Sequence, residues 1–379
     1  MPSLQTLYQK TSWQQRLFTL VLIFLFIGSL VFVHHNYAFY KSTIAEVVDV
    51  TIVSTTNVED NFQNKDVLYT QQLIAKVKNG AEKGTLIHLS NDYSKSQAFD
   101  QKFEVGSEVF VSLDTQLQAN QEQRGTITGV KRDKYLVLIA WVFIFVLLLV
   151  GKRQGLLSVL SLAFNAAILW FALDLYIQSA NQSLLWICGA SVIVFTVVSL
   201  LLVNGRNEKT FSAIIATLIG TFTSLLITYI ALVITGENGL RYEELQFVSR
   251  PYKTVFLAGL IIGALGAVMD VAITMSSSIF GLYEKDPTIS VKALTKSGLE
   301  IGKDIMGTMT NILFFAYVSG SIPILLLYFK NASTLGYTLS LNLSLELVRA
   351  LAGGIGIVLT IPIGLYTAIF FVNRKKAQQ

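Results

Sequence analysis

The sequence predicts a polytopic α-helical membrane protein with about eight transmembrane helices. A small all-β, barrel-like extracytoplasmic domain is inserted between helices 1 and 2. Three observations predict this class. Only 14% of the 379 residues are charged and 53% are hydrophobic, whereas about a quarter of a soluble globular protein is charged. Eight apolar runs approach the roughly 20 residues that cross a bilayer. Between the first and second runs, a polar segment changes to the period-two alternation of strands.

The runs cover 17–33, 135–150, 156–176, 184–203, 211–235, 254–278, 312–329 and 348–372. Basic residues beside them set the orientation, because Lys and Arg concentrate on the cytosolic side. Lys10 and Arg16 precede the first run, Lys152 and Arg153 follow the second, and Arg206 and Lys209 follow the fourth. Lys285, Lys292, Lys296 and Lys303 follow the sixth, and Arg374, Lys375 and Lys376 follow the last. With eight spans these segments share one side, both termini are cytosolic, and the loop 177–183 opposite them is uncharged. Lys131, Arg132 and Lys134 conflict with this scheme, but a long translocated segment crosses largely regardless of its charge. The excess of 29 basic over 24 acidic residues is thus a topology signal. The expected partner is the lipid bilayer, with no nucleic acid. The domains are 1–36, a cytosolic N-terminus and first anchor helix; 37–134, the β-rich domain; and 135–379, a seven-helix transmembrane domain.

In the β-rich segment, 43–53, 67–78, 85–89, 108–113 and 124–130 read as strands separated by Asn, Asp, Gly and Lys clusters. Five short strands suggest a small barrel or sandwich, of the five-stranded Greek-key kind. Residues 34–134 carry 11 basic and 13 acidic side chains, an ordinary mixed surface. Neither a basic groove nor stacking aromatics for single-stranded nucleic acid is evident. Contact with a partner protein, or capping of the transmembrane part, is the expected role.

Polar groups within hydrocarbon are expensive and mark function. In the sixth run, Gly259, Gly263, Gly266, Asp270, Thr274 and Ser277 are spaced 4, 3, 4, 4 and 3 and fall on one helix face. The glycines would admit another backbone closely. Asp270 is the candidate proton, cation or substrate site, with Thr274, Ser277 and Asn311 as neutral oxygen ligands. The fifth run carries Ala216, Gly220, Ser224 and Thr228 at four-residue spacing, and this stripe is expected to pack on the first. Glu300, Asp304, Thr308 and Asn311 form a polar edge leading into the seventh run. Gly302 and Gly307 thin that helix for packing, and Pro323 kinks it. Before it, 289–296 suggests a short helix on the inner membrane surface. Asn165, near mid-depth in the third run, is expected to meet the polar stripes. Glu346 and Arg349 are i, i+3 neighbours and read as a structural pair. Runs three to five and six to eight are two triplets entering from opposite sides, the arrangement of inverted repeats in secondary transporters.

No nucleotide-binding loop, HExxH or GxSxG elbow is present, so no enzyme is expected. No cofactor is implied. The lone cysteine, Cys188, excludes an intrachain disulfide and a cysteine-built zinc site, and no metal is expected. The stretch GALGAVMDVAITMSSSIFGLYEKDPTISVKAL, with the later SGLEIGKDIMGTMTNILFFAYVSGSIPILLL, resembles the hallmark of the YibE/F family of bacterial membrane proteins; it spans 263–327. The long outside module makes the chain similar to the YibE member. The resemblance implies a multi-pass plasma-membrane protein and a YibF-like paralogue as partner in a heteromeric complex. Two functions follow as expectations: a permease or transporter subunit centred on Asp270, or a membrane scaffold that holds a partner through its β domain.

Overall fold

The structure, a computed structural model, describes residues 13–97, 100–114, 123–179, 182–242 and 251–378. Lys10, one of the orientation signals, lies outside the described residues, as do positions 180 and 181 of the uncharged loop. The chain divides into two compact units, 1–149 and 150–379.

The first unit opens with helix α1 (Trp13–His35) and a single 3-10 turn (Asn36–Phe39). Five strands follow: β1 (Thr43–Glu59), β2 (Lys65–Val77), β3 (Leu86–Ser94), β4 (Glu108–Leu113) and β5 (Arg124–Val130). They close into a barrel in the order β1-β2-β3-β5-β4. The β3–β5 pairing is parallel and the other pairings are antiparallel. This is the five-stranded Greek-key barrel typified by the OB-fold. Alternation builds its core, since Leu73, Ala75 and Val77 are buried with Ile87, Leu89, Val109 and Val111, and Phe103 joins the cluster from the loop between β3 and β4. Gly125 is required where β5 crosses, because a Cβ there would lie 2.8 Å from the Ser112 carbonyl oxygen. Buried Gln71 is satisfied through loop backbone: its Nε2 donates to Phe103 O at 3.0 Å and its Oε1 accepts from Phe103 N at 3.1 Å. β1 and β2 run longer than the barrel needs and continue as a paired hairpin to Glu59 and Lys65.

The helical part comprises α2 (Asp133–Gln178), α3 (Leu184–Asn204), α4 (Glu208–Thr235), α5 (Tyr252–Lys285), α6 (Val291–Ser319), α7 (Ile322–Lys330) and α8 (Leu335–Gln378). With α1, six helices among the described residues are long and apolar enough to cross a membrane, or seven when the bent pair α6 and α7 counts as one span. The count falls below the eight runs of the sequence because the second and third runs lie in one stretch, α2, in which two helices meet at a kink at Lys152, whose φ of 48° and ψ of −121° are not helical. The kink lies where the sequence separates those two runs. One departure from the sequence reading is that no separate surface helix precedes the seventh run. Ser290 caps α6 by accepting from Ala293 N, and the helix then runs unbroken through the Glu300–Asn311 edge. The break comes at Gly320 and Ser321, with a 57° bend before Pro323 in the first turn of α7.

In the second unit α5 packs on α3, α4, α6 and α8, and α4 and α6 also pack on α8. Small residues make these approaches possible, as expected where apolar helices meet without a strong hydrophobic drive. A Cβ at Gly220 would collide with Thr360, at Gly302 with Ile361, at Gly298 with Leu365 and at Gly353 with Leu313. The Ala216–Gly220–Ser224–Thr228 stripe is buried, but not against the α5 glycines. It faces α8: Ser224 Oγ donates to Ala352 O at 2.6 Å, and Gly356 packs beside Ser224 and Val268. The expected stripe-on-stripe packing is therefore replaced by packing of α4 on α8.

Candidate functional site

The side of α5 turned inward is its apolar one. Leu257, Leu260, Ile261, Val268, Val271, Met275 and Ile279 are buried. Gly259, Gly263, Gly266 and Asp270 are exposed, and Thr274 and Ser277 are half-buried. A side chain at Gly259 or Gly266 would meet nothing within 4 Å, so these two glycines serve no packing among the described residues. Gly263 differs, because the Tyr317 phenol oxygen of α6 occupies the place a Cβ would take. That oxygen is buried and has no hydrogen-bond partner. The pattern extends past the part read from sequence: Gly281 and Glu284 continue it at spacings of 4 and 3. It ends in a cleft of about 420 Å³ lined by Asn207, Glu208, Lys209, Ser277, Phe280, Gly281, Glu284 and Lys375.

The other candidates are dispersed. On α6, Glu300, Asp304, Thr308 and Asn311 are all exposed, as is Gly307, which has open space above it. The opposite side of α6 is buried through Leu294, Gly298, Gly302 and Leu313. Asn165 does not meet these groups. Its Nδ2 donates to Ser199 Oγ of α3 at 2.8 Å, tying α2 to α3, and its Oδ1 is buried without a partner. Glu346 and Arg349 form their i, i+3 ion pair, and the guanidinium lies 5.3 Å from the centre of the Phe256 ring. Several interior hydroxyls bond to one another, as in Ser276 to Ser212 at 3.1 Å and Ser212 to Thr367 at 3.3 Å, whereas Thr221 Oγ1 is buried without a partner among the described residues. Among the described residues no three His, Cys, Asp or Glu side chains are grouped to hold a metal.

Sequence reasoning passed over one polar centre in the first unit. Lys131, taken above as a topological inconsistency, has a side chain 1% exposed. Its Nζ donates to Val33 O at 2.8 Å and to Asp133 Oδ1 at 2.9 Å, and lies 3.2 Å from Glu108 Oε2. Around it, Tyr37 OH donates to Glu108 Oε1, while Asn36 Nδ2 and Tyr40 OH donate to Asp133 Oδ2. The Tyr37 ring centre is 5.3 Å from the ammonium, within cation–π range. Asn79 anchors the same turn, accepting from Ile44 N and donating to the carbonyls of Tyr37, Tyr40 and Ser42. One lysine thereby joins the end of α1, the 3-10 turn, β4 and the start of α2. Burial works against both charges, and the bonds outweigh it. The Asp133 carboxyl is held below its usual range by hydrogen bonds from Asn36, Lys131 and Tyr40. Lys131 is held above its usual value by bonds to Asp133 and Glu108. Burial and then the bond to Glu108 push the Tyr37 phenol up.

Long apolar helices with small-residue contacts, joined to a small closed barrel, define a class: a mostly helical chain with a membrane protein's composition. The family is equally plain. Residues 139–374 match the family described as YibE/F-like protein, and residues 38–130 match the YibE/F family N-terminal domain. The chain belongs to the YibE/F family. No curated protein and no solved structure matches it.

Proposed function

We propose that this chain is a subunit of a cell-membrane permease whose polar path lies on the outer face of α5 and is completed by a second membrane protein. On this reading the termini are cytosolic and the barrel is extracytoplasmic, as the basic flanks indicate. The observation that carries it is the exposure of Asp270, midway along an apolar helix and in line with two glycines at which a Cβ would meet nothing within 4 Å among the described residues. A carboxylate at mid-bilayer costs about 2.5–3.5 kcal/mol even on the mildest scales, and such groups face protein or water. The face therefore calls for a cover. The partner fitting this family is a YibF-like paralogue, with its backbone against Gly259 and Gly266 and Asp270 at the joint. Asp270 would then bind a proton, cation or substrate group between subunits.

A scaffold function is the second reading, favoured by Asn165 bonding to Ser199 of α3 while Asp270 is exposed. Two substitutions separate the readings. Gly266→Leu fills open space, so the single chain should insert at its normal level, while native-gel migration of the solubilised membranes falls to that of the lone chain. Asp270→Asn should preserve the complex and abolish proton-linked flux in membrane vesicles. Normal flux in Asp270→Asn with the complex intact would leave only the scaffold. A complex unaffected by Gly266→Leu would sink the shared α5 path and leave a scaffold that holds its partner through the barrel.

A further inference from the structure

The cleft at the end of the α5 face holds charges that helix stability does not explain. Glu208 in the first turn of α4 and Lys375 in the last turn of α8 each suit their helix dipole. Lys209 and Glu284 do not. Lys209 is a cation in the first turn of α4, and Glu284 is an acid in the last turn of α5, both the disfavoured sign. Among the described residues, none of these four side chains has an ion-pair partner, although neighbouring Lys376 is engaged with Ile289 O. Ser277 adds a hydroxyl to the cleft, and buried Phe280 gives it an apolar wall. Four residues beyond Asn207 an exposed apolar line begins on α4, with Phe211, Ile215 and Ile219.

We propose that this cleft binds a zwitterion, an ammonium and an anionic group a few bonds apart, supplied by the headgroup of an ethanolamine phospholipid. The ammonium goes to Glu208 and Glu284, and the phosphate to Lys209 and Lys375. The acyl chains follow the Phe211–Ile219 line into the bilayer. A purely anionic headgroup would leave two carboxylates facing its phosphate, so preference for the zwitterion is the signature. The site rests on the membrane reading above, but not on a partner for α5.

The test uses the full chain purified in detergent, with binding of short-chain phosphatidylethanolamine read by native mass spectrometry. The comparisons are phosphatidylglycerol of the same chain length and soluble phosphoethanolamine. Wild type should prefer the ethanolamine lipid about tenfold, the effect of one charge-assisted hydrogen bond. Glu284→Gln should remove that preference without weakening phosphatidylglycerol, whereas Lys209→Gln or Lys375→Gln should weaken both lipids. A merely structural role for Glu284 would not move the ratio. Equal binding of both lipids to wild type, or an unchanged ratio in Glu284→Gln, overturns the site. Soluble phosphoethanolamine binding as tightly as the lipid overturns the lipid as its source. A chain that fails to partition into membranes would instead overturn the membrane reading.

Discussion

Replacing Lys131 by methionine tests the centre that ties the barrel to its flanking helices. Methionine retains most of the apolar stem and removes the ammonium. Glu108, with a side chain only 9% exposed, would keep Tyr37 as its donor and lose its counter-charge. Asp133 would keep Asn36, Tyr40 and the backbone N–H of Lys134. The Val33 carbonyl would lose the ammonium donor. Breaking a buried ion pair by removing one partner costs about 3–5 kcal/mol, a large part of the roughly 5–15 kcal/mol that stabilises a domain. The cost falls on α1, the 3-10 turn, β4 and the start of α2, so hydrogen exchange in the purified full chain should rise around 33–46 and 108–111. The strands β2 and β3 should lose less protection. Combining Lys131→Met with Glu108→Gln and Asp133→Asn should recover most of the loss, because a buried ionic cluster replaced as a whole is often close to neutral. A single variant losing less than about 1 kcal/mol, or a triple variant no better than the single, would refute the account of Lys131 as the counter-charge of both acids.

The same centre predicts a pH window. Asp133 is held below its ordinary 3.8, so its contribution is present above that value and is lost as pH falls through the lower folded value; Lys131 is held above 10.5, so its contribution is present below 10.5 and lost as pH rises through the higher folded value. Protection of the 33–46 segment should therefore stay flat between about pH 5 and 9, and a loss near neutrality would show that another group governs it. Within the helical unit, Gly220→Leu drives a side chain into buried Thr360, and overpacking of this kind costs about 1–3 kcal/mol or more. Gly259→Leu enters open space and should leave thermal stability in detergent unchanged, so equal effects at the two glycines would contradict the arrangement.

The barrel was legible because its signals are local. Strands β4 and β5 have the limits that alternation assigns, 108–113 and 124–130, with Val109 and Val111 buried in the barrel core and Ile127 and Val130 packed against it. The hairpin extension of β1 was not legible, because Thr55, Thr56 and Asn57 lack an inward-facing apolar alternation and are held by pairing to β2. The Lys131 centre gave no signal, because Val33 and Glu108 are distant in sequence and only folding brings them to one ammonium. Helical spacing found the α5 face but not its direction. In a water-soluble helix the polar face must point outward. On the membrane reading both faces border apolar surroundings, so Gly259, Gly266 and Asp270 read the same whether buried or exposed. Asn165 shows the converse, a polar group placed near mid-depth by the sequence whose partner, Ser199, is set by how α2 meets α3.

The length of the α5 line narrows what it does. From Gly259 to Glu284 the residues Gly263, Gly266, Asp270, Thr274, Ser277 and Gly281 intervene at spacings of three and four. At 1.5 Å per residue the line is about 38 Å long, longer than the roughly 30 Å of hydrocarbon in a bilayer. A single interfacial aspartate needs no such line, and among the described residues packing uses little of it: a Cβ at Gly259 or Gly266 would meet nothing within 4 Å and Asp270 is exposed, while the Tyr317 phenol lies over Gly263. On the proposed membrane reading, a strip of small and polar residues of this length suits a helix lying alongside, or a path shared with one. That reading would put the carboxylate of Asp270 at a boundary between subunits, so leucine at position 266 and asparagine at position 270 form a sharper pair of experiments than any change inside the bundle.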